Sequence, residues 1–163
     1  MTDLTDYLEV TTVGTFGHLA FDLLEFDFFR KSEKGNALVF GSPRLLAPLV
    51  VFPYVFALEV ICFRGKRFFV KLDGRTVGLF VVKFRDDTVF IGSLAVSPAC
   101  RKSGVGLFML NWIERLCRQT KSNLLELSVL KANTPAQRLY KKFGFMRAAD
   151  KKWSLILRKR IRT

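Results

Sequence analysis

The sequence predicts a mixed α/β domain. Three observations predict it: a run of β-strands joined by tight turns in mid-chain, a change to helical periodicity after Val96, and a strand–helix–hairpin finish. Residues 67–73 (RFFVKLD) and 76–84 (TVGLFVVKF) flank Asp73-Gly74, a pair that favours a two-residue hairpin turn. Residues 88–96 (TVFIGSLAV) make a third strand, and short turns between successive strands imply an antiparallel meander. A polar loop, 97–103 (SPACRKS), follows. Residues 104–120 then place Leu107, Leu110, Ile113 and Leu116 in a helical pattern. Residues 124–130 (LLELSVL) read as a short apolar strand. Residues 134–143 (TPAQRLYKKF) read as a second helix, with Thr134 as N-cap, Pro135 at the first helical position and Gly144 at the stop. Strands over 145–149 and 153–159 close the chain around the turn Asp150-Lys151-Lys152.

Two segments precede this series. Residues 16–30 (FGHLAFDLLEFDFFR) have Leu19, Leu23 and Phe26 at helical spacing and predict an amphipathic helix. Residues 45–63 are strongly apolar. A membrane span needs about 20 apolar residues. This run has 19, carries Glu59 and is broken by Pro48 and Pro53. A buried helix or strand, or the wall of an apolar pocket, is the better reading. The aromatic residues Phe26, Phe28, Phe29, Phe52, Tyr54 and Phe56 fall in this half.

A length of 163 residues, half hydrophobic and a quarter charged, suits one domain over 1–163 and excludes a disordered or collagenous chain. Seventeen Phe residues call for an aromatic core or pocket. Cys62, Cys100 and Cys117 lie far apart and His18 is the single histidine, so the ligand spacing of a structural zinc is missing and no metal is expected. Such cysteine usage fits a reducing compartment. The acidic start (MTDLTDYLEV) lacks the layout of a signal peptide, so the expected location is cytoplasmic.

The net charge of +13 is unevenly placed. Residues 1–98 hold 11 basic and 11 acidic side chains, whereas residues 99–163 hold 16 basic and 3 acidic. The whole excess lies in the C-terminal part, which points to an anionic ligand or partner there.

One loop carries that anion chemistry. Arg101-Lys102-Ser103-Gly104-Val105-Gly106 ends a strand and opens a helix. The first N–H groups of a helix have no partners within it, and the helix dipole makes that end partly positive. Gly104 and Gly106 let the backbone curl close to an anion, Arg101 and Lys102 add charge, and Ser103 offers a hydroxyl. This is a pyrophosphate cradle, although neither common nucleotide motif is present in it.

The loop and a second motif, Asn133-Thr134-Pro135-Ala136-Gln137-Arg138-Leu139-Tyr140 followed by Gly144-Phe145, occur in order about 30 residues apart. Together the pair resembles the GNAT superfamily of acetyl-CoA-dependent N-acetyltransferases, with the match firm over about 67–145. The resemblance implies a mostly antiparallel sheet, splayed around the cofactor, with helices on both faces. It implies that 101–106 holds the pyrophosphate of coenzyme A. Leu94, Ala95 and Val96 would then pair with the pantetheine amides. Asn133 would contact the cofactor near its reactive end, and Tyr140 would protonate the leaving thiolate. Related N-terminal acetyltransferases often carry a glutamate five residues before that asparagine. Here the position is Ser128, so Glu126, two residues earlier and on the same strand face, becomes the candidate base, with Glu59 as another.

The resemblance leaves the acceptor open. The final turn is short and no tyrosine lies beyond Tyr140, so the acceptor side is expected to be more open than in N-terminal acetyltransferases. A protein or peptide amine, on a lysine or an N-terminus, is the expected acceptor. A small amine is possible but less suited, because cationic substrates favour acidic sites. The alternative is a binding module of the same fold, weak in catalysis, whose basic C-terminal half contacts RNA, the ribosome or an acidic partner. Nothing in the sequence fixes an oligomeric state.

Overall fold

The computed structural model describes residues 7–13, 24 and 65–161. Seven strands form one sheet: β1 Leu8–Thr12, β2 Lys66–Leu72, β3 Arg75–Arg85, β4 Thr88–Val96, β5 Leu124–Leu130, β6 Met146–Asp150 and β7 Ser154–Arg160. Their spatial order is β1-β2-β3-β4-β5-β7-β6. Every neighbouring pair is antiparallel except β4 and β5, which run parallel. Helix α1, Val105–Gln119, provides the crossover between those two, as a parallel connection requires. Helix α2, Thr134–Lys142, joins β5 to β6.

The predicted β2–β3 hairpin forms through Asp73 (φ 49°) and Gly74 (φ 76°), the two left-handed residues of a turn that matches strand twist. Strand β1 was not expected from the sequence. It adds to the sheet edge by pairing Leu8–Thr12 with Leu72–Phe68.

The core lies between the sheet and the two helices. Helix α1 buries Val105, Met109, Leu110, Ile113 and Cys117, all fully shielded, along one stripe. Each such aliphatic side chain contributes roughly 1.5–3 kcal/mol when taken out of water. Phe68 stacks on Phe80 with centroids 4.9 Å apart, and Trp112 of α1 tilts against both at 4.8 and 5.3 Å. Helix α2 adds Tyr140 to the same cluster, joined by Phe143 and Phe145 just beyond it. The Lys159 ammonium of β7 donates to Glu114 of α1 at 2.6 Å and lies 3.8 Å over the Phe143 ring, tying that strand to both helices. On the opposite face Leu79 and Val81 are covered by Val13, Phe69, Ala95 and Leu24, the last in helical conformation.

Three expectations shift by a residue. Asn133 caps α2, not Thr134: its side-chain oxygen accepts from the Ala136 N–H at 3.3 Å, and Pro135 is the second helical residue. The final strands begin at Met146 and Ser154, one residue later than expected, because Phe145 stays in the core. Its N–H closes the helix by donating to Tyr140 at 3.0 Å, after the left-handed Gly144.

The predicted helix 16–30, apart from Leu24, and the apolar segment 45–63 lie outside the described residues. So do Glu59, Cys62 and the N-terminal aromatics. Among the described residues no helix is long and apolar enough to cross a membrane. Nor does any group of His, Cys, Asp and Glu there suit a metal ion.

Candidate active site

The site begins with an extra residue in β4. Val82 pairs with Ile91 and the adjacent Val81 with Ser93, so Gly92 is a bulge. The bulge shifts the alternation of the strand. Ile91 faces the helices before it, and Leu94 and Val96 face them after it, while Ala95 turns to the other face.

The parallel pairing of β4 with β5 ends at the same place. It runs from Thr88↔Leu124 to Ile91↔Leu127 and no further. Beyond it, Leu94, Ala95 and Val96 remain bonded to β3 only, and Ser128–Leu130 of β5 remain bonded to β7 only. The two strands part, leaving a crevice lined by two unshared backbone edges. Such edges carry N–H and C=O groups free to take an extended chain of amides.

At the mouth of the crevice the chain enters the loop into α1. One 3-10 turn, Pro98–Cys100, precedes it. Arg101 Nε donates to the Val96 carbonyl at 3.4 Å, folding the loop back over the strand end. Residues Arg101, Lys102, Ser103 and Gly104 are exposed, and Lys102 (φ 64°) and Gly104 (φ 93°) are left-handed. Gly104 caps α1 without any side-chain hydrogen bond, and the first turn holds no acidic residue. Among the described residues no group accepts from the N–H groups of Val105, Gly106 or Leu107; the first helical bond is Phe108 N–H to Gly104 at 2.9 Å. This is a bare, positively polarised helix start.

Three site residues behave differently from expectation. Ser103 spends its hydroxyl proton inside the loop, donating to the Cys100 carbonyl at 2.6 Å. Val105 is fully buried, so it offers the loop only its backbone. Gly106 serves a close approach rather than a curl: a Cβ there would meet Leu139 Cδ2 of α2 at 3.0 Å. Its small size lets the two helices touch beside the crevice.

Tyr140 lies in the second turn of α2, edge-on to Phe145 with centroids 5.8 Å apart. It shares its cluster with Leu94 and Val96 of one crevice wall and Val129 of the other. Burial pushes its pKa up from 10 to about 12. Its hydroxyl makes no hydrogen bond among the described residues, so the phenol is a neutral donor with its proton uncommitted.

Glu126 lies on the other face of the sheet, since Leu125, Leu127 and Val129 point to the helices. It is one residue short of the point where β4 and β5 part. Arg158 of β7 stands directly opposite and donates Nε to the Glu126 carboxylate at 2.6 Å. Arg158 is the site residue that the sequence did not reveal, because 32 residues separate the pair and only the β5–β7 register joins them. The Gly92 bulge did leave a signal, a lone glycine in an otherwise regular strand.

A splayed parallel strand pair, a bare helix start at its mouth and a buried tyrosine beside it are thus assembled by residues 88–145. The model of the acetyltransferase (GNAT) family matches residues 48–145. The chain belongs to the GNAT acetyltransferase family. That span ends where the firm part of the motif match ends and reaches further toward the N-terminus.

A Bacillus subtilis protein named for alanine N-acetylation of ribosomal protein bS18 is 32% identical over 75 residues, 46% of this chain and 50% of that protein. The chain thus spans about half the length of this curated relative. Solved GNAT structures share the fold across nearly the whole chain. The PaiA N-acetyltransferase of Thermoplasma acidophilum, in complex with coenzyme A, has a TM-score of 0.70 at 13% identity, covering 94% of this chain and 98% of that one. The ribosomal-protein-S18-alanine N-acetyltransferase of Escherichia coli gives 0.68 at 16%, covering 96% and 95%. A GNAT acetyltransferase of Elizabethkingia anophelis with acetyl-CoA bound gives 0.64 at 15%, covering 95% and 99%.

Proposed function

We propose that the protein is a single-domain, cytoplasmic, acetyl-CoA-dependent N-acetyltransferase whose acceptor is a protein or peptide amine. The observation that carries this is the crevice: β4 and β5 part after Ile91 and Leu127, and a bare helix start lies at the opening. The curated relative and the Escherichia coli structure are both named for acetylating a ribosomal protein, which supports a polypeptide acceptor.

Acetyl-CoA bound in the crevice supplies an acyl group activated as a thioester. The chain's own residues then have distinct tasks. Backbone N–H groups of Val105, Gly106 and Leu107, with Arg101 and Lys102, hold the pyrophosphate. The unshared edge of Leu94, Ala95 and Val96 pairs with the pantetheine arm and presents N–H groups to the developing oxyanion. Asn133 offers its amide nitrogen near the reactive end, since its oxygen is engaged as the cap. Tyr140 holds the proton that a departing thiolate takes up, and burial keeps that proton in place at neutral pH. Glu126 takes the proton of the attacking amine, directly or through water. Glu126 and Tyr140 lie on opposite faces of the sheet, which supports an amine that arrives from one side and a thiolate that leaves toward the other.

The test is release of coenzyme A thiol from acetyl-CoA with three acceptor pools: lysine peptides with blocked N-termini, peptides with free N-termini, and small amines including polyamines. Release with a peptide pool is expected. Tyr140→Phe is expected to lower turnover about 100- to 10,000-fold while acetyl-CoA still raises the unfolding temperature of the variant. Full activity in Tyr140→Phe removes that residue from the chemistry. Glu126→Gln is expected to lower the rate; an unchanged rate clears Glu126. Silence with all three pools overturns the reading.

A further inference from the structure

The C-terminal part has so few carboxylates that all of them are consumed. Glu114 pairs with Arg118 and Lys159, Glu126 with Arg158, and Asp150 with both Lys131 and Arg147. Arg138, Lys141, Lys142, Lys151, Lys152 and Arg160 are left without a carboxylate partner among the described residues.

Part of this excess is organised around one end of the sheet. Strand β6 is the edge strand, and all five of its residues are exposed. Lys131, at the end of β5, donates its N–H to the Trp153 carbonyl at 3.0 Å, and its ammonium meets Asp150. Arg147 meets the same carboxylate from within β6. Lys151 donates its N–H to the Ser154 carbonyl at 2.9 Å, closing the turn between β6 and β7. Lys152 Nζ stands 5.3 Å over the Trp153 ring. Three cationic side chains therefore meet one carboxylate and one indole, Lys151 adds a fourth charge in the same turn, and Trp153 is 73% exposed.

A single-stranded nucleic acid supplies phosphates for the positive charge that Asp150 alone leaves in excess and a flat π-face for the exposed indole. An acidic peptide would satisfy the cations but would leave the indole without a flat partner. We propose that the end of the β6–β7 hairpin, with Lys131, Arg147, Lys151, Lys152 and Trp153, is a docking surface for single-stranded nucleic acid. It rests on the cations and indole of the hairpin end and does not depend on the acetyl-transfer reading.

The experiment is fluorescence anisotropy of the full chain with a 5′-fluorescein-labelled 12-nucleotide oligo(U), between 50 and 200 mM KCl. Binding is expected, with a log–log salt slope of about −2 to −3, as three or four phosphate contacts require. Trp153→Ala should weaken binding about ten-fold with the slope unchanged, because stacking carries no counterions. Lys151→Glu with Lys152→Glu should weaken it further and flatten the slope. Arg85→Glu, at the last residue of β3 at the other end of the sheet, alters net charge as much as one of those lysines and should leave binding unchanged. Unaltered unfolding temperatures show that each variant keeps its fold. No binding at 50 mM KCl overturns the proposal, as does full affinity in Trp153→Ala. A 12-residue polyglutamate that competes as well as unlabelled oligo(U) also overturns it, and assigns the surface to acidic polypeptides.

Discussion

Helices α1 and α2 begin alike and finish their first turns differently. Each follows a strand of the parallel pair through a short loop, and each lies on the same face of the sheet. At α2 every early donor is accounted for. The Thr134 N–H bonds to the Ala132 carbonyl at 3.0 Å, Pro135 has no N–H, and the Ala136 N–H goes to the Asn133 side chain. At α1 the capping residue is a glycine without a side-chain cap bond, and among the described residues nothing accepts from the N–H groups of Val105, Gly106 and Leu107. The difference separates two uses of one local structure. The capped start is complete in itself, and the bare start is the one proposed to take an anion.

The strongest way to break this contrast is Gly104→Asp. The residue sits at φ 93°, where a side chain is strained, and a carboxylate there would oppose the anion that the loop is proposed to hold. Affinity for acetyl-CoA is expected to fall about a hundred-fold, a loss of about 2.7 kcal/mol, as read by titration calorimetry. Wild-type affinity in that variant would mean that the bare start holds no anion.

The helices also differ in the titratable group that each buries, Cys117 in α1 and Tyr140 in α2. Burial raises both, the thiol from 9 to about 11 and the phenol from 10 to about 12. The protonated form is the one the fold prefers, so the native state binds more protons and stability falls as pH rises. The Tyr140 contribution is whole below pH 10 and is lost as pH climbs through 12, by about 2–3 kcal/mol at its limit. Thermal unfolding between pH 8 and 12 should decline for the wild type, and Tyr140→Phe should decline less above pH 10. Parallel curves would place the alkaline loss elsewhere.

The smallest effect tests the capped side. Asn133→Ala removes the acceptor of the Ala136 N–H and should cost about 1 kcal/mol in chemical denaturation. Asn133→Asp keeps the acceptor and should cost little. If both variants keep full stability, the cap seen at α2 carries no weight.

Much of this was legible in the sequence, for physical reasons that differ by element. The β2–β3 hairpin was visible because Asp-Gly accepts two left-handed residues at little cost, and no long-range contact is needed to choose it. The glycine loop that opens α1 and Tyr140 were visible as parts of two family motifs, because those residue types recur at fixed spacings. The cap on α2 was misplaced by one residue because Asn133 and Thr134 are both good caps, and only the backbone path decides between them. Strand β1 was not legible: LEVTT is short, and it becomes a strand by pairing with β2, some 60 residues away. The partnership of Glu126 with Arg158 was hidden for the same reason. Alternation put Glu126 on a face, but which cation shared that face followed from the β5–β7 register alone.

Gly92 shows how little is needed to open such a site. A strand is a two-stroke device, in which odd and even positions take opposite sides. One surplus position in β4 resets the count, so that residues beyond it occupy the faces their neighbours would have held. Without it Ser93 and Ala95 would be turned toward the helices, and Leu94 and Val96 away from them. The crevice therefore rests on a parity change worth a single codon, and a one-residue deletion there would swap the sides of its wall without altering any other letter of the chain.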